Sequence, residues 1–193
     1  MKEVFLCTGN PGKLKEITDL IPPQIIVRTL KDEGWFGELT ETGDTLEANA
    51  IQKAQWGFAH SGMPSIADDS GLEVEALNGA PGVRSARFAG DQRSDEDNMS
   101  KLLAELGTAP NRAARFRTVI AYCEAKGVVV FEGVVKGWIT QGKRGTGGFG
   151  YDPIFQPEGS DLTFAEMTLR QKQGSSHRGR AVTRLIEHLF KIG

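Results

Sequence analysis

At 193 residues the chain is long enough for one domain of ordinary size with a substantial core, and a single domain over 1–193 is expected. Charged residues make up 25% and nearly balance, leaving a formal net charge of −2; this argues against a global basic field for nucleic acid and against an acidic solvating tail, while a small, anionic, metal-bound ligand stays possible. Cys7 and Cys123 have no CxxC partner, which argues against a zinc site and a disulfide framework, so reduced, buried thiols are expected. The chain opens on strand-like Glu3-Val4-Phe5-Leu6-Cys7 rather than on a basic and apolar leader, and no stretch approaches the roughly 20 apolar residues of a membrane span. A cytoplasmic protein with no membrane or nucleic-acid partner follows as the expectation.

In chain order, the opening strand leads through a loop into a helix, LKEITDLI, stopped by Pro22-Pro23, and QIIVRTL then reads as a second strand. That opening points to an α/β fold. Residues 31–44 are acidic, contain glycine and lack a clean period, and read as a loop. A helix follows over TLEANAIQKAQWGFAHSG, with Ala50, Ala54 and Phe58 on one stripe and Gly62 as its stop. SIADDSGLEVEAL reads as strand, acidic turn, strand, and NGAPGVRSARFAG as a loop punctuated by glycine and proline. Ser94, with Asp97 three residues on, resembles a helix cap. Two β-rich runs flank Lys126-Gly127, a hairpin signal. The last third holds a turn-rich segment, GKRGTGGFGYDPIF, and ends in helical sequence. No repeat or low-complexity tract interrupts it.

Four polar stretches carry candidate chemistry. Thr8-Gly9-Asn10-Pro11-Gly12-Lys13 lies between strand and helix, where backbone N–H groups and the helix dipole attract anions and lysine adds a point charge. It departs from the P-loop pattern: the glycines are too close together, and Leu14 stands where a magnesium-binding hydroxyl is required. An ordinary strand-to-helix turn would also use Asn and Gly here. Asp68-Asp69-Ser70-Gly71 follows an apolar run, so two carboxylates sit where burial without partners is costly. A hard cation such as Mg²⁺ is one remedy, with Glu41 as a further oxygen ligand; an Asx-type turn is the alternative.

Gly147 to Pro153 combines glycines, two aromatic rings and a carboxylate, the parts needed to stack a base and bond its edge, stacking being worth about 1–3 kcal/mol; a glycine-rich turn with core aromatics is the alternative. Ser175-Ser176-His177-Arg178 opens the last helix, where cations oppose the dipole. That misfit favours a ligand role, which Lys172 could share. Lys53 lies four residues after Asn49 on one helix face, either as a solvated lysine or as a phosphate contact. His60 and His188 read as isolated near helix ends.

Taken together, TGNPGK, ETGDTLEANAIQKA, ADDSGLEVEALNGAPGVRSAR, GTGGFGYDPIF and SHRG occur in the order and at the separations of the inosine triphosphate pyrophosphatase family, which this sequence resembles almost end to end. The resemblance implies a Maf-like α/β fold, an elongated mixed sheet flanked by helices, with two lobes around a central nucleotide cleft, and a homodimer. It implies Mg²⁺-dependent hydrolysis of deaminated purine nucleoside triphosphates (ITP, dITP, XTP) to the monophosphate and pyrophosphate, cleansing the nucleotide pool. By the same resemblance, Thr8, Gly9, Asn10, Pro11, Gly12 and Lys13 bind the triphosphate, with Lys53 as a further contact. Glu41 and Asp69 associate with magnesium, Asp69 is the general base, and Ser70 lies beside the substrate. Phe149, Gly150, Tyr151 and Asp152 bind the base, and Lys172, His177 and Arg178 complete its pocket. Arg84 departs from the pattern, since relatives commonly carry an aromatic residue there.

Three rivals remain at this level: a Maf-type pyrophosphatase for pyrimidine or modified nucleotides, a P-loop-like ATPase or kinase, and a non-catalytic nucleotide-binding module.

Overall fold

The computed structural model describes residues 2–37 and 39–191. Six strands, β1 (Lys2–Leu6), β2 (Ile25–Thr29), β3 (Ser65–Val74), β4 (Ala113–Glu124), β5 (Gly127–Ile139) and β6 (Phe155–Pro157), form one sheet in the order β2-β1-β3-β4-β5-β6. β1 runs parallel to both β2 and β3, and β5 antiparallel to β6, so the sheet is mixed, as expected. β4 and β5 are sheet neighbours joined by two residues, which makes them an antiparallel hairpin at the predicted Lys126-Gly127 signal. The helices are α1 (Pro11–Thr18), α2 (Leu46–Ser61), α3 (Asp95–Leu106), α4 (Leu169–Ser175) and α5 (His177–Lys191). No helix among the described residues is long and apolar enough to cross a membrane.

Local chemistry accounts for most boundaries. Thr45 Oγ1 accepts the Ala48 N–H to start α2, and Gly62, left-handed at φ 68°, closes it where predicted. Ser94 caps α3 through the Asp97 N–H. α1 ends earlier than Pro22-Pro23 suggested, at Thr18, because the chain tightens: both Leu20 and Ile21 donate to the Ile17 carbonyl ahead of the prolines.

The larger departure is β3. The expected strand, acidic turn and strand form one unbroken ten-residue strand with Asp68 and Asp69 in its middle. Basic side chains meet the buried carboxylates, so no turn is needed there. The loop predicted over 78–90 contains a 3-10 helix over Gly82–Arg87, where Arg84 is exposed.

Two compact units emerge from the contacts. The first comprises Met1–Asp69, Thr118–Gly133 and Arg178–Gly193. Its core joins Val4 and Leu6 of β1, Ile66, Ile120 and Tyr122 to Ala181, Val182, Leu185 and Leu189 of α5. Gly57 lets α2 approach β1 closely, since a Cβ there would stand 2.1 Å from Cys7 Sγ. Both cysteines are buried and free, and burial pushes the Cys7 thiol up to about 12. The Phe58 side chain, expected on the buried stripe of α2, is only half-buried. His60 is not isolated: it stacks on Trp56 at 4.8 Å and meets Trp35 edge-on at 5.8 Å. His188 likewise contacts Tyr122 and Phe131. The second unit comprises Ser70–Arg117 and Val134–His177. Its core sets Met99, Leu102 and Leu106 of α3 against Leu72, Val74, Phe116, Val135, Ile139, Phe155 and Phe164.

Candidate active site

In the first unit, the Thr8–Lys13 loop runs from β1 into α1. Asn10 Oδ1 accepts the Lys13 N–H at 3.0 Å, Pro11 takes the first helical position, and Asn10 N–H donates to Thr8 Oγ1 at 3.3 Å. Asn10 thus caps α1, and the Lys13 side chain reaches the β3 carboxylates. Lys13 Nζ lies 3.2 Å from Asp68 Oδ2 and 3.8 Å from Asp69 Oδ1.

α2 supplies the second cation. Lys53 is buried, donates to the Asp68 carbonyl oxygen at 2.7 Å and to Glu41 Oε1 at 2.5 Å, and lies 3.9 Å from Asp69 Oδ1. It is not a solvated lysine. The loop carrying Glu41 is pinned to α2, with Thr42 N–H on Gln52 Oε1 at 3.1 Å and Gly43 N–H on Asn49 Oδ1 at 2.8 Å. Asn49 also donates to Asp69 Oδ2 at 3.1 Å, fixing that carboxylate. The spacing that put Asn49 on Lys53's face was the sequence signal for this residue.

Arg178 opens α5 and is buried; its guanidinium pairs with Glu16 of α1 and stands 3.5 Å from Asp68 Oδ2. The unfavourable placement of a cation at a helix start is thereby offset by two carboxylates. Glu16 was missed by sequence reasoning. The legible signal was its place one turn after Lys13 on α1, inward-facing on a short helix.

These contacts split the two aspartates. Burial alone would push Asp68 up, but Lys13, Arg178 and Lys53 outweigh it and hold the carboxyl well below the usual range. For Asp69 burial prevails over Lys53 and Lys13, with Glu41 adding repulsion, and its pKa is raised. Burial lowers that of Lys13 despite Asp68, whereas for Lys53 the desolvation is outweighed by Asp69, Glu41 and Asp68, and its pKa rises. A permanently ionised aspartate therefore neighbours one shifted toward the pH range of proton transfer.

The second unit gathers the other predicted residues. Asp152 Oδ2 accepts the Phe149 N–H at 2.9 Å and the Lys172 ammonium at 2.6 Å, and Lys172 Nζ stands 5.0 Å over the Phe149 ring. Buried His177 stacks on Phe116 at 4.7 Å and 14°. Tyr151 Oη donates to the Ser85 carbonyl at 2.8 Å, and burial keeps the phenol protonated by raising its pKa. Ser70 follows Asp69 in β3 and is half-buried. The arrangement offers an aromatic face beside a rigid set of donors. Phe116 and Asp95 contribute to it from outside the motifs read in the sequence, and Ser85, inside ADDSGLEVEALNGAPGVRSAR, had no signal of its own.

Comparison with known proteins places these features in context. Residues 4–188 match the Ham1 family. The chain is 48% identical to the dITP/XTP pyrophosphatase of Flavobacterium johnsoniae over 98% of each chain, and 48% identical to that of Christiangramia forsetii over 99% of this chain and all of the other. Among solved structures, the Staphylococcus aureus Ham1 protein superposes with a TM-score of 0.90 at 40% identity over the whole of both chains. The Coxiella burnetii HAM1 protein does so at 0.90 and 38% identity, over 99% of this chain and all of that one.

Proposed function

Because the chain belongs to the Ham1 family, we propose that it hydrolyses deaminated purine nucleoside triphosphates, ITP, dITP and XTP, to the monophosphate and pyrophosphate, and so cleanses the nucleotide pool. The observation that carries this reading is the acid and lysine cluster on β3, where Lys13 and Lys53 converge on Asp68 and Asp69. Phosphoryl chemistry asks mainly for positioning and charge neutralisation. Lys13 and Lys53 bind phosphate oxygens. Asp69, with Asn49 holding its Oδ2, takes the proton from the water that attacks the α-phosphorus. Asp68, held ionised, holds Lys13 and Arg178 in place and opposes the loss of charge that burial imposes on Lys13.

The residues fit a divalent cation. Glu16, Glu41, Asp68 and Asp69 meet Lys13, Lys53 and Arg178, one negative charge in excess, so a triphosphate would add to a site already anionic. Among the described residues no group of three His, Cys, Asp or Glu side chains could hold a metal by itself. Mg²⁺ needs few protein carboxylates when phosphates and water fill its shell, and Glu41 and Asp69 would hold it. When bound, it would neutralise charge on the triphosphate oxygens.

Base selectivity belongs to the Phe149–Asp152 segment with Lys172 and His177. The Phe149 ring gives a stacking surface, and donors such as Lys172 meet the 6-keto oxygen of hypoxanthine or xanthine. Adenine presents an amino donor there, and each donor left unsatisfied costs about 1–3 kcal/mol. The test is product analysis with ITP, dITP, XTP, ATP, GTP and dTTP in the presence of Mg²⁺. Pyrophosphate with IMP from ITP is the expected result. Preferred turnover of dTTP would make this a pyrimidine pyrophosphatase, orthophosphate with a diphosphate an ATPase, and no turnover a binding module. A homodimer belongs to the same reading, and a monomer in sedimentation equilibrium at micromolar concentration refutes that part.

A further inference from the structure

The base-reading segment is anchored by two residues outside it. Gly150, at φ 63°, donates its N–H to Asp95 Oδ2 at 2.7 Å, and the next residue, Tyr151, donates its hydroxyl to the Ser85 carbonyl at 2.8 Å. Asp95 is the first residue of α3, whose start is already capped by Ser94, so its carboxylate is available to the Gly150 amide. Ser85 is itself immobilised: its Oγ accepts the Leu72 N–H at 2.9 Å and donates to the Gly82 carbonyl at 2.6 Å. Three consecutive residues are thus fixed by three different partners, Phe149 by Asp152, Gly150 by Asp95 and Tyr151 by Ser85.

We infer that Asp95 and Ser85 are positioning residues that set base selectivity by clamping the Gly150–Tyr151 step. This deepens the base-reading role proposed above and rests on it. Discrimination between a keto and an amino group requires donors that cannot swing away from a mismatched base. If the step is slack, Asp152 and the Lys172 ammonium that it holds shift with it, and the penalty for adenine falls. Asp95 acts on the Gly150 amide of the base-reading segment, so its loss is read in KM and in selectivity rather than in kcat. A surface aspartate serving only the α3 dipole would affect stability alone.

The experiment compares wild type with Asp95→Ala, Asp95→Asn and Tyr151→Phe, measuring kcat and KM for dITP and dATP and the melting temperature. Removing one hydrogen bond to a charged group corresponds to a change of roughly tenfold. Asp95→Ala is expected to raise KM for dITP by about that factor, to leave kcat within about twofold, and to lower the dITP to dATP preference. Asp95→Asn, which keeps an acceptor for the Gly150 N–H, recovers most of the KM. Tyr151→Phe loses selectivity in the same direction. A wild type that cleaves dITP while Asp95→Ala keeps wild-type KM and preference overturns the clamp alone, as does a lowered melting temperature with both kinetic values unchanged. A wild type that leaves dITP intact overturns the base-reading role and the clamp with it.

Discussion

Replacing Glu16 with leucine takes one carboxylate from a guanidinium that is only 2% exposed. Removing one partner of a buried ion pair costs about 3–5 kcal/mol, because the other charge stays in a poorly solvating site. Asp68, 3.5 Å from Arg178 Nε, retains part of the attraction, so about 3 kcal/mol, the lower end of that range, is the expected loss for Glu16→Leu. Glu16→Gln keeps an acceptor for Arg178 Nη1 and should lose about half as much. For a chain of this size each kcal/mol shifts Tm by about 2–4 °C, giving a fall of roughly 6–12 °C for the leucine variant. Urea unfolding followed by tryptophan fluorescence, with an unchanged m value, measures the loss directly. Stability of Glu16→Leu within about 0.5 kcal/mol of wild type would falsify the view that Glu16 neutralises a buried Arg178.

Asp69→Asn should lower dITP turnover about 100- to 10,000-fold while the substrate dissociation constant changes little, as measured by single-turnover kinetics and equilibrium dialysis; near-normal turnover removes Asp69 as the base. Gly71→Ala places a Cβ 2.3 Å from the Gly82 carbonyl oxygen, an overpacking that costs about 1–3 kcal/mol and lowers Tm by several degrees in differential scanning fluorimetry. Cys7 and Tyr122 are weak acids with pKa values raised by burial, from 9.0 to about 12 and from 10.0 to about 12. The native state holds their protons while the unfolded chain releases them, so stability is intact below pH 9 and falls between about pH 9 and 12, by at most about 1.4 kcal/mol per pH unit for each group. Urea midpoints at pH 8 and 10.5 check the sign. At pH 8 Cys7 should also resist alkylation in the native protein, and rapid labelling there contradicts its burial.

Signals that act over one helical turn or one hairpin were legible. Thr45 and Gly62 bracket α2, Ser94 caps α3, and Lys126-Gly127 marks the β4 to β5 connection, because each is satisfied by a neighbour in sequence. The acidic pair was misread as a turn for the opposite reason. Whether Asp68 and Asp69 bend out to water or stay in a strand depends on Lys13, Lys53 and Arg178, three cations from three different helices. The motif residues were found by their types and order, yet their supports were not. Glu16 and Asp95 act by facing a motif residue across the fold, and nothing local distinguishes a facing Asp95 from any acidic residue at a helix start.

Burying so many charges on β3 is a poor way to stabilise a domain. Replacing a buried ion-pair group by well-packed apolar residues is often neutral or stabilising by about 1–4 kcal/mol. The flanking residues show that the strand could have been apolar: Ile66, Ala67 and Leu72 are completely buried on either side of the pair. A cluster that costs stability is retained where its charges are already oriented for an incoming ligand, since charges fixed in advance need no reorganisation when the reaction begins. Two details favour that explanation over an accident of packing. Asn49 spends both ends of its amide on fixing Asp69 and the Glu41 loop, and Lys53 is steered by a backbone carbonyl as well as by acids. Lys53 thus keeps its charge beside an aspartate with a raised pKa, a combination that fold stability alone does not require.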